Sequence, residues 1–344
     1  MNSLIDYRSD AVTLATFEMR QAMANAEVGD DFAGEDPTVN RLEEMSASLF
    51  DKEAAMFVIS GTMANQIAIM ASVYLGDEVL VGEESHIYNL ENGGLAALSG
   101  VQARPLKSYE GMFDLNDIKR AIEFRGIQSS SVKVLCLENT YDLNKGIPLT
   151  ESYISSVSDT AHKYDMMVYL DGARIFNAAA ALNEKPSVLC KGVDVMQFSL
   201  CKGLSAPVGC MLLGSKKFIE RARVIRHRIG GAMAQAGHMA AAGIVALETM
   251  IDRIQDDHLN AKRLAIELTK FNESLVNVEK TLTNIVQINL NSVGKDAFYL
   301  DKYLQEYGIK IKVVDSTTCR LVTHYGINVN DIDYTIGAIK NILR

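Results

Sequence analysis

The sequence predicts an α/β protein with a mostly parallel central sheet in a large N-terminal part, 1–245, and a smaller α+β part, 246–344. Two observations carry this reading. Through the first two-thirds of the chain, short apolar runs rich in β-formers alternate with longer amphipathic stretches, the pattern of a sheet covered by helices on both faces. From about residue 233 the pattern changes to a long helical run followed by isolated strand-like segments. A chain of 344 residues is long enough for such a division.

Taken in order, an apolar run at 54–59 (AAMFVI) leads into a helical stretch at 62–74. The segments 77–82 (DEVLVG), 132–138 (VKVLCLE), 166–171 (MMVYLD), 194–200 (DVMQFSL) and 208–213 (VGCMLL) have strand length and β-rich composition. A second helical stretch, 151–164, separates two of them. In the C-terminal part a helical run reaching Phe271 precedes 285–290 (IVQINL), a helix near 295–307 and 320–324 (RLVTH).

Composition excludes several classes of function. With 43 acidic against 34 basic side chains the formal charge is −9, which repels polyanions, so nucleic acid is not expected as a partner. No uninterrupted apolar stretch approaches the roughly 18 residues of a membrane span. The first ten residues already hold Asp6, Arg8 and Asp10, unlike a secretory signal. Five cysteines without CxxC spacing argue for a reducing compartment, which here is the cytoplasm, and against a zinc cluster. No other metal-ligand spacing stands out.

In open α/β sheets ligands bind beyond the carboxyl ends of the strands, so polar residues there are the first candidates. Lys202 follows DVMQFSL in a glycine-containing turn, where a partly desolvated amine can form a Schiff base; a solvated loop lysine is the plain alternative. Asp171 ends MMVYL, suited either to pairing with a pyridinium nitrogen or to capping the next helix. Gly61 and Thr62, within SGTM, stand where helix N–H groups can meet a phosphate or where Ser60 simply caps the helix. His86 follows the 77–82 strand and suits ring stacking, proton transfer or a purely structural role, and Glu91, five residues on, suits orienting a polar group or a solvated position. Arg320, in a β-like run, has the fork geometry to hold a carboxylate, although surface arginines are common.

Together these segments resemble the L-threonine aldolase family, a branch of the β-eliminating lyases with the fold type I of pyridoxal-phosphate-dependent transferases. The resemblance runs through DYRSDAVT, VGDDFAGEDPTVN, SGTMANQ, SHIYNLENGG, LENT, DGARIFNA, CKGLSAPVG, GGAMAQAG, LTNIV and RLVTH, in the family's order and across nearly the whole chain. It implies pyridoxal 5'-phosphate as cofactor, an amino-acid substrate, and a homodimer or homotetramer with active sites near the subunit interface. By the same resemblance, Lys202 is the Schiff-base lysine, Asp171 pairs with the ring nitrogen and Arg174 lies near the ring's phenolic oxygen. Gly61 and Thr62 bind phosphate, His86 stacks on the ring, and Ser9 and Arg320 hold the substrate carboxylate. Asn284 and Glu91 match positions close to the site. The implied reaction is cleavage of L-threonine or L-allo-threonine to glycine and acetaldehyde.

The chain departs from the family pattern at defined places. Tyr141 stands where a histidine usually follows LENT, near the β-hydroxyl, and is expected there as a weaker base but still a hydrogen-bond donor. Ala33 replaces a tyrosine, Leu90 an aromatic residue, Ala234 an arginine and Cys201 a serine; Arg226, His227 and Arg228 supply positive charge nearby. These changes leave, as the alternative, a related β-eliminating lyase or an aldolase for a bulkier β-hydroxy amino acid such as phenylserine.

Overall fold

The computed structural model describes residues 4–123, 126–142 and 144–344. Its strands, in chain order, are β1 (Ile5–Asp6), β2 (Ala54–Val58), β3 (Glu78–Gly82), β4 (Gln102–Leu106), β5 (Ser108–Tyr109), β6 (Met112–Phe113) and β7 (Val132–Glu138). They continue with β8 (Met167–Asp171), β9 (Val195–Ser199), β10 (Cys210–Gly214), β11 (Ile285–Asn289), β12 (Ile309–Lys310), β13 (Lys312–Val313) and β14 (Thr318–Val322).

Seven strands form the central sheet in the order β2-β10-β9-β8-β7-β3-β4, and only β10 runs against the rest. The inner strands are apolar and fully enclosed, which is why they read as continuous hydrophobic runs. Alternate residues serve opposite faces. Leu80, Leu135, Leu170, Phe198 and Met211 join one hydrophobic cluster, while Val79, Val134, Tyr169 and Leu212 join another. On the first face Phe50, Phe176 and Phe198 pack ring against ring, with centroids 5.0–5.7 Å apart. The strand β4 was not anticipated from its composition: QARPL is half-exposed and carries a proline, both tolerated because β4 is a sheet edge.

The C-terminal core is built on the sheet β11-β14-β13 and the helices Ile254–Phe271, Ala297–Glu306 and Val329–Leu343. The helical run expected from about 233 is in fact two helices, Gly237–Thr249 and Ile254–Phe271. The break falls where the packing partner changes. Leu247, Met250 and Ile254 belong to the core of the large sheet, whereas Ala261 onward belongs to the C-terminal core. The start of the chain also crosses over: β1 pairs in parallel with β12, and Ile5 and Tyr7 are buried in the C-terminal core. Among the described residues no helix is long and apolar enough to cross a membrane.

Candidate active site

A cleft of about 290 Å³ opens beyond the carboxyl ends of β7, β8 and β9 and is closed on its other side by the N-terminal segment and β14. Of the residues expected at a site, Ser9, Gly61, Thr62, His86, Asp171, Arg174, Lys202 and Arg320 line it together. Residues 311 positions apart in the chain therefore share one cavity.

Asp171 ends β8 and is buried. Its Oδ1 accepts from the Gln197 amide and, at 3.0 Å, from the Ala173 N–H; its Oδ2 accepts from Asn65 Nδ2 at 2.9 Å. The same Asn65 amide donates at 2.7 Å to Glu91, and the Tyr169 hydroxyl donates to Asn65 Oδ1. Glu91 in turn accepts from Gln66 and lies 3.0 Å from His86 Nδ1. Glu91 thus stands behind the cleft wall and orients the imidazole, which is about a third exposed.

The helix Gly61–Met70 starts at the cleft. Ser60 caps it by accepting from the Met63 N–H at 3.1 Å, and the preceding N–H groups of Gly61 and Thr62 have no intrahelical acceptor by helix geometry. Across the cleft Arg174 makes a two-pronged pair with Asp10, through Nε and Nη2, each 2.7 Å from a carboxylate oxygen. Burial works against both charges, yet the pairing wins: Arg174 is raised and Asp10 is held well below the usual carboxylate range. Asn284 donates to Asp10 at 3.4 Å and to Thr323 O at 3.0 Å, so it supports the pair from behind instead of lining the cavity. Arg320 is buried, donates to the Arg8 carbonyl, and is pushed down to about 10 by burial and by the nearby Arg174.

Tyr141 is the exception among the expected residues. It is buried outside the cleft lining, where its hydroxyl accepts from the Glu84 N–H at 3.2 Å and meets Ser108 Oγ at 3.1 Å. Two glycines make room for its ring: a Cβ on Gly82 would come within 2.6 Å of the phenolic oxygen, and one on Gly111 within 2.6 Å of Tyr141 Cβ. Tyr141, expected near the substrate hydroxyl, is thus not among the residues that line the cleft. Conversely, Asp10, Asn65, Glu138, Gln197 and Ser199 contribute to the site without having been singled out. Glu138 carried a usable signal, since it ends VKVLCLE just as Asp171 ends MMVYLD.

Residues 6–291 match the family described as beta-eliminating lyase. The chain belongs to this family. Among relatives of this beta-eliminating lyase, low-specificity L-threonine aldolase 1 of Arabidopsis thaliana is 40% identical, over 98% of this chain and 96% of its own length. The low specificity L-threonine aldolase of Escherichia coli O157:H7 is 36% identical, over 94% of this chain and 95% of its own. A solved threonine aldolase of Leishmania major superposes with a TM-score of 0.81, covering 99% of this chain and all of that one at 16% identity. The threonine aldolase resemblance and the fold type I architecture read from the sequence are thereby shown.

Proposed function

We propose that this beta-eliminating lyase cleaves L-threonine, L-allo-threonine and related β-hydroxy-α-amino acids to glycine and an aldehyde, with pyridoxal 5'-phosphate as cofactor. The observation that carries the reading is the meeting of Lys202, Asp171, the start of the helix Gly61–Met70 and Arg320 in one cleft. Threonine aldolase relatives over nearly the whole chain support it.

The residues present fit the cofactor. Free N–H groups and the Thr62 hydroxyl at a helix N-terminus suit a phosphate. Gln197, 1% exposed and lining the cleft, has an Oε1 without a hydrogen-bond partner among the described residues, as expected of a wall that a polar ligand completes. Asp171, fixed by three donors, suits a protonated ring nitrogen. When bound, pyridoxal phosphate supplies the electron-withdrawing ring that makes cleavage of the Cα–Cβ bond accessible. Lys202 would anchor it through its amine, His86 would cover one ring face and Arg174 would face the phenolic oxygen. Arg320 and Ser9 would hold the substrate carboxylate and so fix the torsion about Cα, aligning the bond to be broken. Leu90 at the cleft, in place of an aromatic residue, favours acceptance of larger β-substituents such as that of phenylserine.

Self-assembly into a dimer or tetramer and residence in the cytoplasm are part of the same proposal. The five cysteines, all free, suit a reducing compartment. The test is aldehyde release by the cofactor-loaded protein from L-threonine, L-allo-threonine and phenylserine, with glycine as co-product. Formation of ammonia and a 2-oxo acid without glycine would overturn the aldolase reading.

A further inference from the structure

Glu138 lines the cleft, yet none of the roles above uses it. The strands β7, β8 and β9 run parallel, with Glu138 paired to Asp171 and Asp171 to Gln197. Two residues earlier on each strand, Cys136, Tyr169 and Val195 share one hydrophobic cluster, so all three polar side chains project from the same sheet face. Two carboxyl groups therefore stand side by side at the rim of the cavity, on strands about 5 Å apart.

Their surroundings differ. Asp171 accepts from Gln197, Asn65 and Ala173. Glu138 accepts a single hydrogen bond, at 2.7 Å, from the His86 N–H to Oε2, and its Oε1 has no hydrogen-bond partner among the described residues. The family's histidine position cannot supply a base here, because Tyr141 is turned into the protein.

We propose that Glu138 is a further catalytic residue, the base that takes the β-hydroxyl proton through Oε1 while Oε2 stays anchored on the His86 N–H. This rests on the retro-aldol reading above. The hydroxyl proton passes to Oε1, the C–O bond becomes the aldehyde carbonyl, and the Cα–Cβ electron pair stays with Cα. Protonated Glu138 then returns the proton to Cα, leaving glycine and the original carboxylate. Burial first, then Asp171 and Asp142, raise Glu138, while the His86 N–H and Lys202 oppose them, and the group ends at about 8. Arg174 and the Tyr141 ring also interact with it. A base of this strength titrates close to the working pH, where proton transfer is most effective.

Glu138→Gln keeps an acceptor for the His86 N–H but cannot take a proton. The expected result is a loss of about 10²–10⁴-fold in kcat with little change in KM, and disappearance of the limb on which activity rises with pH. Glu138→Asp, which keeps a carboxylate, retains that limb at reduced kcat. Independently of turnover, infrared titration of the protein with and without cofactor should give a carboxylic-acid band that persists at about pH 7.5, above the range of Asp257, where it is missing from the Gln variant, and that fades by about pH 9. An unchanged kcat and limb in Glu138→Gln, absence of the band from the wild type, or loss of the limb in His86→Phe instead would each overturn the assignment. Failure of the wild type itself to release aldehyde would instead refute the retro-aldol reading, and this role with it.

Discussion

Arg174 and Asp10 are each other's counter-charge inside the protein, 7% and 0% exposed, and the loss of either strands the other. Asp10→Asn is expected to cost about 3–5 kcal/mol, the usual cost of leaving one buried charge unpaired, measured by urea unfolding. The sign with pH follows from the depressed carboxyl. Its stabilisation is present above the ordinary aspartate range and is lost as pH falls through and below that range. Arg320→Lys removes a planar fork without removing charge, and KM for threonine should rise by about 10–100-fold, corresponding to roughly 1.5–3 kcal/mol of charged hydrogen bonding. Lys202→Ala should abolish both the visible absorbance that added pyridoxal phosphate gives the wild type and all aldehyde release. Retained absorbance with a normal cofactor spectrum would remove Lys202 from its proposed role.

At the level of elements, Tyr141→Phe separates a structural from a chemical part for the segment after β7. Without the hydroxyl, the Glu84 N–H and Ser108 lose a partner, and stability should drop by about 1–3 kcal/mol while kcat is retained. A large loss of kcat at unchanged stability would put the hydroxyl back in the chemistry. The same segment marks the limit of what sequence reveals. Buried parallel strands announce themselves as apolar runs, and the polar residue closing each run falls at the cleft by topology alone; Lys202 and Asp171 are legible for that reason. Glu138 obeys the same rule. By contrast, the direction of Tyr141 depends on the space left by Gly82 and Gly111, one of them 59 and the other 30 positions away in sequence. Likewise β4 is hidden because an edge strand need not be apolar, and the break after Thr249 because it reflects a change of packing partner and not a local stop signal.

For the whole molecule, the junction between the two cores contains titratable groups that do not belong to the cleft lining. His258, on the helix Ile254–Phe271, is buried against Asn177 and lowered from 6.5 to about 4 by burial. The unfolded chain takes up this proton first, so stability should fall as pH drops from 6.5 toward 4, by up to about 3 kcal/mol. Its neighbour Asp257, raised to about 6 chiefly by burial, works in the opposite direction over much of that window. Comparing the wild type with His258→Asn isolates the histidine: the melting temperature of the wild type should fall relative to the variant on acidification, and parallel curves would refute this. The crossover of β1 onto β12 has a consequence for biosynthesis. Ser9 and Asp10 are synthesised before every strand of the large sheet, but the strand that tethers them ends at Lys310 and the facing wall at Val322. The large sheet can therefore form while the polypeptide is still being made, whereas a complete cleft exists only after β14 has been translated. A prematurely terminated product lacking β14 would have the floor of the cleft and no roof.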